Sequence, residues 1–182
     1  MDELLDILDM DGNPTGTTAM KSKVHRIGLF HATVHIWFYT SEGELLLQQR
    51  GKNKETHPLL WGVSVAGHIG AGEELEVSAI REIAEEIGLT SKKGLLEKIG
   101  VFKSVQKHHE YLVDCEFQHT FLCKLSVPLH RLKKQESEVE ALKLMPILGF
   151  EKEIQGNKTA QKYVPHEFSY YQDVMKAIKE RL

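Results

Sequence analysis

One long alternating stretch dominates the hydrophobic pattern of the chain. From residue 111 to 125, apolar side chains occupy nearly every second position: Tyr111, Val113, Cys115, Phe117, Phe121, Cys123 and Leu125. Successive side chains of a strand point to opposite faces, so the pattern predicts a strand with one buried apolar face. His119 lies on that face, and we expect it to be a buried histidine whose hydrogen bonds are satisfied.

Shorter patterns predict two hairpins and further strands. Residues 4–9 are half apolar and precede the turn signal Asp-Gly-Asn-Pro at 11–14, which indicates an N-terminal hairpin. Residues 32–39 are rich in β-branched and aromatic side chains, and a turn at 41–43 leads into 45–50. Residues 61–66 predict a short strand that ends at Gly67, and residues 143–146 predict another.

Three segments show helical periodicity: residues 73–87, 147–155 and 167–181. In the last of them the apolar side chains that share one side are Phe168, Tyr171, Met175, Ile178 and Leu182. Strands dominate the middle of the chain and helices flank them, which predicts an α/β or α+β fold with a mixed sheet. We expect a single domain over residues 1–182, with an N-terminal hairpin extension at 1–24 and C-terminal helices at 147–182.

Composition and charge limit the classes of function that we expect for this chain. The 182 residues are 41% hydrophobic and 27% charged, with a net charge of −3, which is ordinary globular composition without a basic field for nucleic acid. The acidic N-terminus does not resemble a signal peptide, and no apolar run reaches membrane-spanning length. Cys115 and Cys123 fit a reduced compartment. We therefore expect a cytoplasmic protein without membrane or nucleic-acid partners, for which a homodimer is left open.

The helix at 73–87 separates two kinds of side chain. At about 100° per residue, one stripe contains Ile80, Ile83, Ala84 and Ile87. Three carboxylates are expected on the opposite side: Glu82, Glu85 and Glu86. They form either a solvated face or a metal site. Repulsion between Glu82 and Glu86, together with the glycines that precede the helix, favours a metal site, and oxygen-only ligands favour Mg²⁺ or Mn²⁺.

The segment 67–89 resembles the Nudix box, G-x5-E-x7-R-E-U-x-E-E-x-G-U, where U is aliphatic. Its defined positions are all filled, by Gly67, Glu73, Arg81, Glu82, Ile83, Glu85, Glu86, Gly88 and Leu89. This resemblance implies an α/β/α sandwich around a mixed sheet and hydrolysis of a diphosphate linkage in a small molecule. It implies that Glu82, Glu85 and Glu86 bind Mg²⁺ or Mn²⁺, that one of them acts as base, and that Arg81 orients them.

Residues 25–125 also resemble the branch that includes isopentenyl-diphosphate isomerase. The shared features are two histidines before the first long strand, LLLQQR at 45–50, Lys54, Pro58, Trp61, Gly67-His68 and Asp114-Cys115-Glu116. The resemblance implicates Glu116 in catalysis and implies metal binding by His25, His31, His68 and Glu116. It implies diphosphate binding by Arg50 and Lys54. Each has an alternative: a structural role for His25 and His31, a surface charge for Arg50 and Lys54, and solvent exposure for Glu116.

One position departs from the isomerases, because Ala66 stands where they need a cysteine that moves a proton. Three functions remain open: a Nudix hydrolase acting on a nucleoside diphosphate derivative or related organic diphosphate, an isoprenoid-diphosphate isomerase, and a catalytically silent binding module. The intact box favours the hydrolase. We expect substrate choice to depend on a loop at 106–110 and on the C-terminal helices.

Overall fold

Residues 2–156 and 158–182 are described by the structure, a computed structural model, and their strands form one mixed sheet. In chain order the elements are β1 (Leu4–Leu8), β2 (Pro14–Met20), α1 (Lys21–Ile27), β3 (Phe30–Tyr39), β4 (Glu44–Arg50), β5 (Trp61–Gly62), β6 (Val65–His68), α2 (Leu75–Ile87), β7 (Glu97–His109), β8 (Leu112–Lys124), β9 (Val139–Pro146), α3 (Ile147–Gln155) and α4 (Phe168–Lys179).

The centre of the sheet is β3, a β-branched and aromatic strand that is buried over most of its length. It runs parallel to β8, from Phe30 opposite Cys115 to Tyr39 opposite Lys124. Its other neighbours, β1, β4 and β6, are antiparallel to it. The hairpin of β7 and β8 extends the sheet on one side, and β9 pairs antiparallel with β4 on the other. The parallel pair brings segments far apart in sequence into register.

Helices cover both faces of this sheet. On one face, the buried aliphatic residues of α2 pack against alternate residues of β3, such as Val34 and Ile36. On the other face, Trp37 and its neighbours pack against α3 and α4, with Phe150 and Tyr171 in the contact. Each strand thus contributes to two cores, because its side chains alternate between faces. The predicted α/β/α sandwich around a mixed sheet is confirmed.

Burial on both faces corrects the prediction for residues 111–125. Gln118 and Thr120 lie on the face expected to be polar and exposed, yet both are buried under the helices. Tyr111, expected on the apolar face, is exposed. His119 is half-buried, and its Nδ1 has no hydrogen-bond partner among the described residues, so the expected satisfied histidine is wrong. The stripe of α4 also differs, since Tyr170 and Val174 are buried while Phe168 is exposed.

Several segment predictions are confirmed and others are wrong. The N-terminal hairpin, the second hairpin and both C-terminal helices are present close to the expected bounds. The expected strand at 61–66 is divided into β5 and β6, and the box helix begins at Leu75 rather than at residue 73. The expected loop at 106–110 is mostly strand, since β7 continues to His109. Neither β7 nor α1 was predicted, because neither shows a clear apolar period.

The structure also bears on membrane-spanning helices and on the two cysteines. Among the helices of the described residues, none combines the length and the apolar character that crossing a membrane requires. Cys115 and Cys123 are both buried, and neither forms a disulfide among the residues that the structure describes.

Candidate active site

The carboxylates of α2 are more buried than the helix pattern indicated. Glu82 is 8% exposed and Glu86 is 4% exposed, and both lie on the side that packs against the sheet. Ala84, placed by the pattern on the apolar stripe, is exposed, as is Glu85. The prediction that all three glutamates face away from the apolar stripe is therefore wrong, because the buried stripe is wide enough to include two of them. Buried carboxylates need partners, which the neighbouring residues supply.

Arg81 ties the acidic side chains of the box together. Its guanidinium donates to both carboxylate oxygens of Glu73 at 3.0 and 2.9 Å, in a bidentate pair that lowers the pKa of Glu73 to about 2. It also donates to Glu82 at 2.7 Å and to Glu85 at 3.3 Å, and to the backbone carbonyl of His68 at 3.1 Å. One cation thus holds three carboxylates and the end of β6 in fixed positions.

Two glycines let α2 sit against the sheet. A side chain at Gly67 would collide with the carboxylate of Glu82, so only glycine allows this close approach. Gly88 ends the helix in the left-handed conformation, with φ at 65°, where glycine is favoured. The motif positions predicted from the sequence are therefore needed for packing as well as for chemistry.

Glu86 is the most enclosed of the three carboxylates. Its Oε2 accepts hydrogen bonds from Gln48 Nε2 at 2.9 Å and from the backbone N–H of Ala66 at 3.2 Å. Burial raises the pKa of Glu86 to about 7, and burial also raises the pKa of Glu82. Glu82 and Glu86 are therefore two desolvated carboxylates on adjacent turns of the helix. A bound cation would stabilise both, because their present partners do not fully compensate their negative charge.

A second group of ligand-type side chains lies beside the first. His25 from α1, His31 from β3 and His68 from β6 place ligand atoms within 4.8 Å of one another. His25 Nε2 lies 3.2 Å from His68 Nε2, and His31 Nε2 lies 4.0 Å from Glu116 Oε1. Burial lowers the pKa of all three histidines, so they are neutral near pH 7. The structure therefore brings the two histidines of uncertain role, His25 and His31, into one cluster with His68.

His31 shows how the cluster is oriented. Its Nδ1 lies 3.1 Å from the carbonyl of Leu29 and must donate to it, because a carbonyl oxygen only accepts. Its Nε2 then has a free lone pair, yet this buried atom has no partner among the described residues. Asp114 Oδ1 is likewise without a partner and lies 3.8 Å from His25 Nε2. The cluster thus contains unsatisfied lone pairs on His31 Nε2 and on Asp114 Oδ1. A metal ion bound in the cluster would satisfy them.

Strand register explains why these residues meet. In the parallel pair, His31 lies opposite Glu116 and Thr33 lies opposite Gln118, and His68 of β6 lies opposite Thr33 on the other side. Residues directly opposite share a face of the sheet, so one face carries the histidines and Glu116. Glu116 is thus directed into the site rather than to solvent, and burial raises its pKa. Asp114, two residues before it, was not singled out from the sequence.

Arg50 and Lys54, the basic residues expected to bind diphosphate, each contact another part of the chain. The Arg50 guanidinium donates to the carbonyl and the hydroxyl of Thr56, at 2.9 and 3.0 Å, and so fixes the loop after β4. Those two bonds use two of its five N–H groups, so three remain available. Lys54 pairs with Glu138. Both residues are partly buried, and both line the cavity described next.

Most of these side chains line one open cavity of about 360 Å³, and the fully buried His31 lies next to its lining residues His25 and His68. Glu82, Glu85 and Glu86 contribute to it together with His25, His68, Asp114 and Glu116, and with Arg50, Lys54 and Lys21. Glu3, just before the N-terminal hairpin, also lines the cavity. The hairpin is held against the loop before α2, since Ala71 N–H donates to the Leu4 carbonyl and Gly72 N–H donates to Asp6. The cavity is therefore lined by anionic, neutral and cationic groups, the set expected for metal ions and a phosphate-bearing ligand.

The chain is similar to known proteins over most of its length. The NUDIX domain profile matches residues 29–166. The chain is 34% identical to Nudix hydrolase 3 of Arabidopsis thaliana over 170 residues, 91% of this chain, but it spans only 22% of that protein. It is 34% identical to isopentenyl-diphosphate Delta-isomerase 2 of Photorhabdus laumondii over 122 residues, 67% of each chain. A Deinococcus radiodurans crystal structure superposes with a TM-score of 0.67 at 16% identity, covering 88% of this chain and 97% of that one.

Proposed function

The chain belongs to the Nudix hydrolase family, and on that premise we propose that it cleaves a diphosphate linkage with divalent cations. The substrate is a nucleoside diphosphate derivative or a related organic diphosphate. One observation carries the proposal. Two groups of side chains of the kind that bind metals, one of carboxylates and one rich in histidine, meet at one cavity together with the basic side chains of Arg50, Lys54 and Lys21.

The first group, which we call the carboxylate group, consists of Glu82, Glu85 and Glu86. It fits Mg²⁺ or Mn²⁺ because it offers only oxygen ligands, and because two of its members are buried with raised pKa. Arg81 and Gln48 hold the ligands in place without neutralising all of them. Mg²⁺ usually keeps open positions for substrate phosphates, which suits a group on the wall of an open cavity.

The second group, which we call the histidine group, consists of His25, His31, His68, Asp114 and Glu116. Imidazole nitrogens bind transition ions better than they bind Mg²⁺, and the carboxylates of Asp114 and Glu116 add the oxygen ligands that suit Mn²⁺. The hydrogen bond from His31 Nδ1 to Leu29 fixes the tautomer that leaves Nε2 free, as is usual for metal-binding histidines. We therefore propose two kinds of cation site in one cavity.

Each set of residues then has a defined task. A bound divalent cation supplies charge neutralisation on the diphosphate and lowers the pKa of nearby water. Arg50, Lys54 and Lys21 attract the phosphate oxygens and position the diphosphate. Arg81 keeps Glu82 and Glu85 at fixed positions, so less reorganisation is needed as charge develops. The base that accepts the proton of the attacking water is one of Glu82, Glu85 and Glu86.

Metal removal tests this function. The protein is incubated with a panel of organic diphosphates, first in chelator and then with Mg²⁺, Mn²⁺ or Zn²⁺ restored. We expect turnover to phosphate-bearing products with Mg²⁺ or Mn²⁺ and none in chelator. Full turnover in chelator contradicts the mechanism. Metal-dependent binding of the panel without any turnover supports a silent binding module instead.

A second candidate, allylic isomerisation, is favoured by the 34% identity to an isomerase and by the histidine group. Ala66, however, presents only a methyl group and a backbone N–H that is already bonded to Glu86. Ser64 is also committed, since its hydroxyl donates to the Leu46 carbonyl and accepts from Phe38 N–H. We expect no deuterium in dimethylallyl diphosphate when isopentenyl diphosphate is incubated with enzyme and Mg²⁺ in D₂O. Incorporation at an enzymatic rate supports the isomerase.

A further inference from the structure

Beyond the two metal groups, the cavity has an inner part lined by neutral polar side chains. Thr33 and His35 from β3 extend along the same sheet face as His31, and Gln118 from β8 lies opposite Thr33. His166, in the segment before α4, lies beside them, with its ring centroid 5.4 Å from that of His35. Burial lowers the pKa of His166 to about 3 and keeps His35 neutral as well.

Tyr170 fixes which nitrogen of His35 carries the proton. The Tyr170 hydroxyl accepts a hydrogen bond from Trp37 Nε1 at 2.9 Å and lies 2.7 Å from His35 Nδ1. The arrangement that uses the hydroxyl hydrogen has Tyr170 donate to Nδ1. A neutral imidazole then carries its proton on Nε2, at the far edge of the ring. His35 lines the cavity, so it offers a fixed N–H donor there.

Thr33 adds an unsatisfied hydroxyl to the same place. Its side chain is 3% exposed, and its Oγ1 has no hydrogen-bond partner within the described ranges 2–156 and 158–182. A buried polar atom without a partner is costly, by about 1–3 kcal/mol, unless a ligand or water completes it. The residue also lines the cavity. One donor of fixed direction and one unsatisfied hydroxyl therefore lie two residues apart, on the same face of β3.

We propose that Thr33 and His35 form a specificity pocket for the organic group of the substrate. The pocket selects groups that carry neutral oxygen atoms, such as hydroxyls or carbonyls, over hydrocarbon chains. This inference rests on the proposed hydrolase function and names its substrate class. A hydrocarbon chain would displace water from the pocket and leave both polar side chains without partners, whereas a hydroxyl or carbonyl oxygen satisfies them.

Kinetics test the selection. The protein is assayed with Mg²⁺ on two oxygen-rich diphosphates, ADP-ribose and UDP-glucose, and on two hydrocarbon ones, dimethylallyl and geranyl diphosphate. We expect kcat/KM at least about tenfold higher on the oxygen-rich pair. His35→Phe and Thr33→Val should reduce that ratio several-fold, mainly through KM, while His35→Asn, which keeps a donor, should retain more of it. His130→Phe, at an exposed position, is the matched control. A preference for the hydrocarbon pair, or an unchanged ratio in His35→Phe, overturns the proposal.

Nitrogen NMR of the wild-type protein separates this inference from the proposed function, because it needs no turnover. With ¹⁵N-labelled histidine, we expect His35 to be the Nε2–H tautomer and its Nε2–H signal to shift when ADP-ribose is added. A proton on Nδ1, or no shift with ADP-ribose or UDP-glucose, overturns the specificity pocket even if hydrolysis is found. If the tautomer and the shift are present but no diphosphate is cleaved, the pocket stands and the proposed hydrolysis fails.

Discussion

The carboxylate group and the histidine group line the same cavity but are assembled in different ways. The carboxylate group comes from two consecutive turns of one helix, so its members are neighbours in the sequence as well as in space. The histidine group comes from α1, β3, β6 and β8, and it forms only where those elements meet. A local group is visible as spacing in a sequence, whereas a non-local group depends on strand register.

The two groups also differ in how completely the protein satisfies them. Glu82 and Glu86 already accept hydrogen bonds from Arg81, Gln48 and Ala66. In the histidine group, His31 Nε2 and Asp114 Oδ1 have no partner among the described residues. We therefore expect the loss of a carboxylate mainly to lower kcat. We expect the loss of a histidine mainly to lower the amount of bound metal.

The largest effect is expected from the carboxylate group. Glu86→Gln and Glu82→Gln each keep the side-chain volume but remove the charge that attracts a cation, so kcat should fall by at least about 100-fold. Glu85→Gln should do the same if this residue is a ligand or the base. Glu74→Gln, at an exposed position paired with Lys93, is the control and should be nearly silent. Equal, small losses at all four positions would return the helix to the solvated-face interpretation.

A smaller effect is expected from the histidine group. His31→Gln removes the fixed Nε2 lone pair, so one class of bound Mn²⁺ should be lost and kcat/KM should fall by about 10- to 100-fold. Metal content by mass spectrometry and Mn²⁺ titration by calorimetry measure the first result. His130→Gln, at an exposed position, serves as the control. Unchanged Mn²⁺ stoichiometry in His31→Gln would give the histidines a structural role.

Diphosphate binding should show a still smaller change. Lys54→Ala should raise KM by about fivefold with little change in kcat, because a partly exposed ionic contact to the diphosphate is worth about 1 kcal/mol in ground and transition states alike. Arg50→Ala should raise KM further, since it also releases the loop held at Thr56. Steady-state kinetics on the best substrate of the panel measure both. An unchanged KM in both variants would show that neither residue touches the diphosphate.

At neutral pH no change is expected from His166, a histidine outside both groups, and its effect on stability appears only at acidic pH. The pKa of His166 is lowered to about 3 from its ordinary 6.5 by burial, so between these values the unfolded chain binds more protons than the folded one. The free energy of unfolding should therefore decrease as the pH falls from about 6.5 toward 3. Urea unfolding in chelator measures the slope, which should be shallower in His166→Gln. Equal slopes in the two proteins would show that His166 becomes protonated without unfolding.

Sequence reasoning was accurate where structure is local. The box helix, its glycines and the interaction of Arg81 with its carboxylates follow from positions within 23 residues. It failed for β7, because a strand at the edge of the sheet exposes alternate residues such as Val101 and Val105 and shows no apolar face. It also gave no role to Asp114, although this residue belongs to the Asp114-Cys115-Glu116 segment, and it missed His35, which belongs to no motif. Only the pairing of β3 with β8 places His35 and Asp114 in the site. The register of that pairing cannot be predicted from the spacing of residues along the chain.

The parallel pairing of β3 with β8 also sets the order in which the molecule can form. It joins residues about 85 positions apart, such as Phe30 and Cys115, and contacts of this separation form slowly because a long loop must first be closed. Until β8 has been synthesised, β3 has no strand partner along that edge, so its backbone N–H and C=O groups there stay unpaired on a growing chain. Unpaired strand edges are prone to aggregation. The strand that carries His31 and His35 therefore needs protection along this edge during synthesis.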